Sequence, residues 1–473
     1  EPQVIPVPPS DLEPFIGPER VARLLGFAGR ARERLRGRVF WHANSTASGG
    51  GVAEMLAVDL AYAQGMGIDT RWLVFEGDPQ FFVITKRLHN KLHGAPGDDG
   101  PLGEVERAAF DATTERNVEE FLRRLSPGDV VTIHDPQPAG LVPVLTERGI
   151  PVVWRCHVGR DGQNGYSREA WEFLRPYITR ADLLVFSRAS YVPDFVDNSR
   201  LVIIPPAIDP FSPKNRPLDP EVAASILGRA GIAARSDDAV APAYERADGS
   251  LGIVERVAEV VREGPPPPAD APLVLQVSRW DRLKDMPGVL RGFVEHVAGS
   301  PEGKGAHLVL AGPSVAGVTD DPEGQEVLAE CTYLWQLLPA EVRSRVTLAS
   351  LPMEDARENA AIVNALQRHA AVVLQKSLVE GFGLTAAEAM WKARPVVVSA
   401  VGGLLDQVIN GESGILLHDP TDLAALGAAL RTLLGSPEYA RVLGKAAQER
   451  VRAHFLPDRQ LAQWAEVLLR LPG

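Results

Sequence analysis

The feature that most constrains the fold of this chain is an alternation of short β-rich runs with longer helical stretches. The alternation occurs in two series. The runs of the first series begin near residues 38, 70, 129, 151, 183 and 201. Those of the second begin near residues 272, 307, 346, 371, 395 and 414. Strands that alternate with helices form right-handed βαβ units around a mostly parallel sheet. The sequence therefore predicts an α/β protein with two doubly wound, Rossmann-like domains.

The length of 473 residues also fits two domains better than one core. Between the two series the alternation fails, and Pro265–Pro268 can continue neither a helix nor a central strand. We expect part of the polar segment Ser236–Ser250 to be poorly ordered. The predicted divisions are an N-terminal extension with a helix (1–37), a first Rossmann-like domain (38–215), an insert or linker (216–270), a second Rossmann-like domain (271–450) and a C-terminal helix returning to the first domain (451–473).

Charge and cysteine content exclude several classes of partner and site. The formal net charge is −12 and the pI is near 5.4, whereas nucleic acids and anionic membranes bind basic surfaces. Cys156 and Cys331 are the only cysteines, so we expect neither a disulfide framework nor a cysteine-rich zinc site. Glu1–Ser10 lack the pattern of a signal peptide, and no apolar run reaches membrane-spanning length. We therefore expect a cytoplasmic protein with small-molecule substrates, no nucleic-acid or membrane partner, and a homodimer as a possible assembly.

Ligands of open parallel sheets bind beyond the C-terminal ends of the strands, so two facing sheets would form one deep cleft between the domains. The first cluster at a predicted strand end is Gly49-Gly50-Gly51, which precedes a helical pattern. Glycines allow a close approach of backbone amides to a phosphate, and a helix N-terminus favours negative charge. The loop matches neither a dinucleotide fingerprint nor a P-loop. A flexible turn before a helix explains it equally well.

A second cluster follows the first strand of the second series. Arg279 and Lys284 are five positions apart there and could converge on a diphosphate, Arg as a planar fork and Lys as a point charge. An acidic protein needs such a pair to bind an anion. A solvated charged turn is the alternative interpretation.

The third cluster is the segment Glu380–Glu388, which follows the predicted strand near residue 371. Glu380 would lie in a loop and Glu388 in the first turns of a helix, so both carboxylates could face the cleft and accept paired hydroxyls. The helix start adds a partial positive charge, and a purely structural helix entry would not need glycine on both sides of an aromatic residue. A functional role is therefore favoured. The residues that could contact a donor are Gly381, Phe382, Gly383, Leu384, Thr385 and Glu388.

The fourth cluster consists of His134, Asp135 and His157 at neighbouring strand ends of the first series. A lone histidine is more often structural, but two at adjacent strand ends favour a functional role. Their spacing does not match a zinc site, and no Gly-x-Ser-x-Gly nucleophile elbow is evident. The sequence also shows no Asp-x-Asp-type cluster near these motifs, so we expect no obligatory metal.

Arg279 with Lys284, and Glu380 with Glu388, resemble the signature of the family-4 retaining glycosyltransferases, which adopt the GT-B fold. The resemblance extends from residue 38 onward. Within that family, long segments are similar to the trehalose synthases that use a nucleotide sugar. These segments are residues 42–54, 76–90, 133–137 and 154–157. The chain departs from the pattern at Val158-Gly159, where such members carry Ile-Asp.

The resemblance implies a role for each matching residue. Gly50 and Gly51 would approach the donor diphosphate, and Arg279 and Lys284 would neutralise it. Glu380 would bind the hydroxyls of the donor sugar and Glu388 the ribose. The implied catalytic set is Arg279, Lys284, Glu380, His157 and Asp135. The implied acceptor-binding set is His134, Asp135, Glu76, Lys86 and Asn90.

The reaction that the resemblance implies is retaining transfer of glucose from ADP-, UDP- or GDP-glucose to free glucose, which gives α,α-trehalose without an obligatory cofactor. Three alternatives remain on the sequence alone: a related transferase with another sugar acceptor, a trehalose phosphorylase, and a non-catalytic sugar-nucleotide-binding protein. A nicotinamide oxidoreductase would need a Gly-x-Gly-x-x-Gly turn after a strand, which the sequence lacks.

Overall fold

The computed structural model describes residues 2–47, 51–234, 240–246, 249–315 and 322–472. The chain divides into two compact units. The first unit comprises Glu1–Ile208 together with Phe455–Gly473, and the second comprises Asp209–His454. No helix in the described ranges is both long enough and apolar enough to cross a membrane.

The first unit is built on a six-stranded parallel sheet. Its strands are β1 (Phe40–Asn44), β2 (Thr70–Val74), β3 (Val130–His134), β4 (Val152–Cys156), β5 (Leu183–Phe186) and β6 (Leu201–Ile203). The spatial order is β2-β1-β3-β4-β5-β6. Each strand begins within two residues of its predicted start, so the predicted parallel α/β fold is confirmed here. Strands β1, β3, β4 and β5 are buried along their whole length, as expected for a sheet covered on both faces.

Helices connect these strands and cover the sheet. They are α1 (Glu13–Ile16), α2 (Pro18–Arg34), α3 (Gly51–Gly65), α4 (Pro79–Leu92), α5 (Glu104–Arg124), α6 (Leu141–Thr146) and α7 (Gly165–Ile178). The last helix of the chain also belongs to this unit and packs against α2. A bidentate ion pair joins the two helices, since Nε and Nη2 of Arg20 each lie 2.8 Å from a carboxylate oxygen of Asp458. Trp464 and Leu468 bury their side chains against Phe40 and Val153 of the sheet.

The second unit contains a seven-stranded sheet and a separate hairpin. Its strands are β7 (Ala243–Glu245), β8 (Leu251–Ile253), β9 (Glu259–Val261), β10 (Leu273–Val277), β11 (His307–Pro313), β12 (Val346–Leu351), β13 (Val372–Gln375), β14 (Val396–Ser399) and β15 (Ile415–Leu417). The sheet order is β15-β14-β13-β10-β11-β12-β9, and the strands are parallel except for β9, which runs antiparallel to β12. The strands β10 to β15 match the second predicted series within one residue.

The helices of the second unit are α8 (Pro220–Arg229), α9 (Met286–His296), α10 (Pro322–Gln336), α11 (Ala340–Arg343), α12 (Ala356–His369), α13 (Leu384–Trp391), α14 (Leu404–Gln407), α15 (Leu423–Gly435) and α16 (Pro437–His454). The helix that returns to the first unit is α17 (Pro457–Arg470). Short 3-10 helices occur at Pro9–Leu12, Gln137–Gly140, Ala189–Tyr191, Asn198–Arg200 and Arg282–Lys284.

The segment predicted as an insert or linker contains regular structure. Helix α8 packs against α12, and β9 forms the edge of the second sheet. The backbone amides of Glu255 and Arg256 both bond to the buried carboxylate of Glu358, which fixes the approach to β9. Strands β7, β8 and β9 each include a glutamate or a glycine among three residues, so they lack the apolar run that marked the predicted strands. Of the segment expected to be poorly ordered, residues 236–239 and 247–248 lie outside the described residues, whereas Ala243–Glu245 form a strand.

Candidate active-site residues

Lys284 and Glu380 are in direct contact in the second unit, although they lie 96 positions apart in the sequence. The distance from Nζ of Lys284 to Oε2 of Glu380 is 2.6 Å. Lys284 ends the 3-10 helix after β10, and Glu380 lies between β13 and α13. Because β10 and β13 are neighbours in the sheet, their carboxyl ends bring these residues together. The structure therefore places a cation and a carboxylate side by side at this edge.

Further hydrogen bonds hold Glu380 in place. The side chains of Gln375 and Ser377 also donate to Oε2 of Glu380, at 3.1 and 2.9 Å. Glu380 is 8% exposed, so its orientation is restricted by packing as well as by these donors. A carboxylate fixed in this way can accept sugar hydroxyls without first losing conformational freedom.

A second ion pair lies at the same strand ends. Nζ of Lys376 contacts the carboxylate of Asp285, and the Lys376 side chain is fully buried. Asp285 has a left-handed backbone, with φ of 46°, and its Oδ1 caps α9 by accepting from the amide of Gly288 at 3.0 Å. The sequence analysis missed Lys376. The available signal was a lysine immediately after a strand that is apolar through Leu374.

Arg279 and Lys284 occupy the same loop but have different partners. Nη2 of Arg279 lies 2.9 Å from Asp281, and the Arg279 side chain is 61% exposed. The Asp281 carboxylate also accepts from the amide of Leu283, which begins the turn to Lys284. The two cations are thus held by separate carboxylates, and Arg279 has the greater freedom to reorient toward an anion.

The segment between Glu380 and Glu388 forms a tight turn into α13. Gly383 caps the helix with φ of +84°, and an added Cβ there would lie 2.5 Å from Leu404. Both the backbone conformation and the space therefore require glycine. Leu384 and Thr385 are the first residues of α13, where backbone amides lack an intrahelical acceptor. Glu388 is the fifth residue of that helix and is half-buried.

Phe382 and its flanking glycines join this turn to the next loop. The carbonyl of Gly381 accepts from the amide of Gly403 at 3.2 Å. The carbonyl of Phe382 accepts from the side chain of Gln407. A Cβ on Gly403 would approach Cα of Phe382 to 2.6 Å, so the two loops are in van der Waals contact. The glycines expected to serve a ligand thus also have a packing role.

In the first unit, the glycine-rich loop is described only at its end. Gly50 lies outside the described residues, and Gly51 is the exposed first residue of α3. The start of this loop is anchored at Asn44, the last residue of β1. Its side chain donates to the carbonyl of Thr46 at 2.7 Å and accepts from Nε1 of Trp72 at 2.7 Å.

Three histidines form a continuous hydrogen-bonded chain in the first sheet, from His42 in the middle of β1, through His134 at the end of β3, to His157 just after β4. Nδ1 of His42 lies 3.0 Å from Nε2 of His134, and Nδ1 of His134 lies 3.0 Å from Nε2 of His157. His42 and His134 are buried, whereas His157 is half-buried. Burial lowers the pKa of His42 to about 3, and it lowers the pKa values of His134 and His157 well below 6.5. The three rings are therefore neutral at pH 7.

The hydrogen bonds between the three rings change the roles that were expected for these histidines. Both ring nitrogens of His134 contact other histidines, so any contribution of His134 to acceptor binding passes through its neighbours. His42 was not among the candidate residues. The signal that could have identified it is its position in β1, the central neighbour of β2 and β3.

Asp135 is held beside His157 in a strained conformation. Its φ is +64°, which is uncommon for a residue with a side chain. Its Oδ1 accepts from the backbone amide of His157 at 2.7 Å. Burial raises the pKa of Asp135 to about 7, while the His157 amide and the nearby Arg155 oppose that shift. Protonated and ionised forms of Asp135 thus coexist near neutral pH.

Of the other predicted acceptor residues, Glu76 lies just after β2, whereas Lys86 and Asn90 lie on α4. Glu76 is exposed, and its amide donates to Asn117 at 2.9 Å. Lys86 and Asn90 are four positions apart on α4 and therefore lie on one face of that helix. At Gly159, an added Cβ would lie 2.4 Å from the ring of Tyr191, so this ring fills the space of a side chain at 159.

No group of three or more His, Cys, Asp or Glu side chains in the described part of the chain is arranged to hold a metal ion. Both cysteines are free and buried.

Comparisons with known proteins match both units. Residues 42–193 match the family model for the trehalose synthase N-terminal domain, and residues 258–450 match that for glycosyl transferases group 1. A trehalose synthase of Pyrococcus horikoshii is 34% identical to this chain, with 98% of this chain and 96% of that protein covered. A trehalose phosphorylase of Pleurotus pulmonarius is 28% identical, with 89% of this chain but 55% of that protein covered.

The solved structures extend the similarity to the fold. An α,α-trehalose-phosphate synthase (UDP-forming) from Burkholderia vietnamiensis superposes with a TM-score of 0.64 at 15% identity. The superposition covers 91% of this chain and 97% of that one. At this identity the match bears on the fold alone.

Proposed function

This chain belongs to the trehalose synthase family of GT-B glycosyltransferases, and from that premise we propose that it transfers glucose from a nucleoside-diphosphate glucose to free glucose with retention of configuration. The product is α,α-trehalose and the by-product is the nucleoside diphosphate. The contact between Lys284 and Glu380 carries this proposal. In a nucleotide sugar, a hydroxyl-rich ring is bonded directly to an anionic phosphate. A fixed carboxylate 2.6 Å from an ammonium group offers matching partners for both.

The proposed donor site lies at the C-terminal ends of the strands of the second sheet. Lys284 and Arg279 bind the diphosphate, and the amides at the start of α13 contribute partial positive charge. Glu380 accepts hydroxyls of the donor sugar, and Glu388 accepts those of the ribose.

The chemical step breaks the bond between the anomeric carbon and the phosphate oxygen. Negative charge develops on the leaving diphosphate, and positive charge develops on the sugar ring. Cations and helix amides that are already in position stabilise the first charge, which lowers the barrier. The hydroxyl of the incoming glucose attacks from the face that the diphosphate leaves, and its proton passes to the leaving phosphate oxygen. The step needs no nucleophile from the protein.

The acceptor glucose is proposed to bind residues at the carboxyl edge of the first sheet. His157 and Asp135 directly follow β4 and β3, and a neutral imidazole beside a titrating carboxyl suits uncharged hydroxyls. Glu76, Lys86 and Asn90 complete the proposed acceptor set.

A trehalose phosphorylase is the second candidate, because such enzymes are also among the similar proteins. It would use glucose 1-phosphate in place of the nucleotide sugar and would have no need of a ribose contact at Glu388. A protein that binds nucleotide sugars without turnover is the remaining alternative.

A donor screen separates these functions. ADP-, UDP- and GDP-glucose are each incubated with free glucose, and the released nucleoside diphosphate is followed. Glucose 6-phosphate serves as the matched charged acceptor, and glucose 1-phosphate without nucleotide serves as the phosphorylase control. We expect nucleotide release that requires free glucose. Phosphate release from glucose 1-phosphate that requires free glucose and no nucleotide would favour the phosphorylase, and nucleotide binding without release in either reaction would rule out both enzymes.

A further inference from the structure

The three histidines at the edge of the first sheet form one hydrogen-bonded unit. They come from β1, β3 and the residue after β4, which are consecutive in the sheet. Both nitrogen-to-nitrogen distances are 3.0 Å. The His134 ring lies within 28° of the plane of His42 and within 13° of the plane of His157. This geometry makes both contacts hydrogen bonds between rings.

A chain of neutral imidazoles permits only two arrangements of protons. Each neutral ring has one N–H donor and one lone-pair acceptor. If His134 donates from Nδ1, it accepts at Nε2, so His42 also donates from Nδ1 and His157 accepts at Nε2. If His134 instead donates from Nε2, every proton is on Nε2. All three rings therefore share the same tautomer, and a change at one end requires a change at the other.

The surroundings keep the rings neutral. The charged group that faces the chain is Arg155, which is fully buried and carries a positive charge. A proton added to His134 or His157 would lie near that guanidinium, and His134 is also buried from water, so protonation is unfavourable. Asp135 bonds to the backbone amide of His157, and the bonds of its side chain leave the imidazole chain intact.

We propose that His42 and His134 are positioning residues that set the tautomer of His157 and thereby decide whether its Nδ1 donates to or accepts from the acceptor sugar. Among the described residues, Nδ1 of His157 has no hydrogen-bond partner, and it is the nitrogen left over by the chain. This inference rests on the proposed function, because it assumes that His157 binds the acceptor. His42 acts two rings away from the substrate and does not touch it.

The tautomers can be measured directly in the protein without substrate. Nitrogen-15 labelling of histidine distinguishes a protonated ring nitrogen from one with a lone pair by its chemical shift. We expect His42, His134 and His157 to show the same neutral tautomer in the wild type. Mixed tautomers among the three rings would overturn the proposal, whatever the enzyme's activity. This measurement needs no variant and is therefore unaffected by any failure of a variant to fold.

Two substitutions at one position test the coupling. His42→Phe removes the partner of His134, whereas His42→Asn retains an amide near the position of Nδ1. We expect His42→Phe to change the tautomer populations of His157 and to lower kcat/KM for glucose about tenfold, the scale of one hydrogen bond. Affinity for the nucleoside diphosphate should not change. His42→Asn should restore most of the loss, and His307→Phe in the second sheet should have no such effect.

The outcomes also distinguish this inference from the proposed function. An unchanged His157 tautomer in folded His42→Phe would overturn the coupling. Coupled tautomers with unchanged glucose kinetics would overturn the positioning role and leave the family assignment intact. If the wild type transfers no glucose to any acceptor, the proposed function fails, while the tautomer measurement still decides whether the three rings act as a unit.

Discussion

The first parallel sheet ends in neutral imidazoles, whereas the second ends in ion pairs. At the first edge, His42, His134 and His157 bond to one another, and burial keeps them uncharged. At the second edge, Lys284 pairs with Glu380 and Lys376 pairs with Asp285. The strands that carry or precede these residues are parallel in both sheets, so the difference comes from the residue types at these positions.

The free-energy cost of burying polar and charged groups explains why the two sheets carry different side chains at these positions. A neutral polar ring can be buried if its hydrogen bonds are satisfied, which the imidazole chain achieves internally. A buried ammonium group is stabilised by a carboxylate partner, which both Lys284 and Lys376 have. The neutral edge suits an uncharged sugar, and the charged edge suits a diphosphate. Under the proposed function, donor and acceptor recognition are thus separated by electrostatics.

The largest expected effect is at the charged edge. Lys284→Ala should lower kcat by roughly 10²–10³, the scale for loss of one preorganised electrostatic stabiliser. The fold should survive, because Glu380 keeps its bonds to Gln375 and Ser377. Arg282→Ala is the matched control, since this cation of the same turn is exposed and paired with Glu326. Steady-state kinetics of both variants test the prediction. A near-normal rate for Lys284→Ala would remove Lys284 from the site.

Substitutions of Glu380 and Glu388 should have smaller effects, which distinguish binding of the donor sugar from binding of the nucleotide. Glu380→Gln should lower turnover about tenfold to a hundredfold and leave the affinity for free nucleoside diphosphate nearly unchanged, because its proposed partner is the sugar. Glu388→Gln should instead weaken nucleotide binding, because its proposed partner is the ribose. Isothermal titration calorimetry with the nucleoside diphosphate measures both. Equal weakening by the two substitutions would contradict this division.

A third prediction concerns the comparison of the two sheets and tests whether His42 in the first sheet is uncharged. His42 has a pKa of about 3 in the folded protein and near 6.5 when unfolded, so acid favours the unfolded state. At pH 5 this residue should cost the wild type about 2 kcal/mol of unfolding free energy relative to pH 8. His42→Phe has no such cost. The substitution should therefore lower the free energy of unfolding, relative to the wild type, by about 2 kcal/mol less at pH 5 than at pH 8. Urea unfolding at both pH values measures this, and a pH-independent difference would mean that His42 accepts a proton in the folded state.

For metal removal we expect no change in the transfer rate. If side-chain cations and helix amides alone stabilise the leaving diphosphate, excess EDTA should leave the transfer rate unchanged. Rates are compared before and after chelation, with magnesium added back as the control. Loss of activity that magnesium restores would mean that the charged edge works through a metal ion.

The sequence predicted the strands well because their signal is local. Continuous runs such as Leu183–Phe186 are apolar and bounded by turns, and each predicted strand began within two residues of its expected position. The same pattern placed Lys284, Glu380 and His157 at strand ends. It could not place β9, because this strand begins with a glutamate, lacks a continuous apolar run and is held by pairing with β12.

Contacts between strand ends could not be predicted in the same way. The imidazole chain requires β1 to lie beside β3 and β3 beside β4, and that order depends on the path of the helical connections. The pair of Lys376 with Asp285 likewise joins residues 91 positions apart. The candidate residues therefore included His134 but omitted its partner His42, and they included Lys284 but omitted Lys376, which pairs with the next residue, Asp285.

The central claim is that glucose is joined to glucose through both anomeric carbons, and the product tests it most directly. Nucleoside-diphosphate glucose and free glucose, both labelled with carbon-13 at C1, are incubated with the enzyme, and the isolated disaccharide is examined by NMR. Retaining transfer to the α-anomer of glucose predicts one anomeric signal with the coupling of an α-linkage, because the two halves of α,α-trehalose are equivalent. A free reducing-end signal, or two inequivalent anomeric signals, would contradict the account.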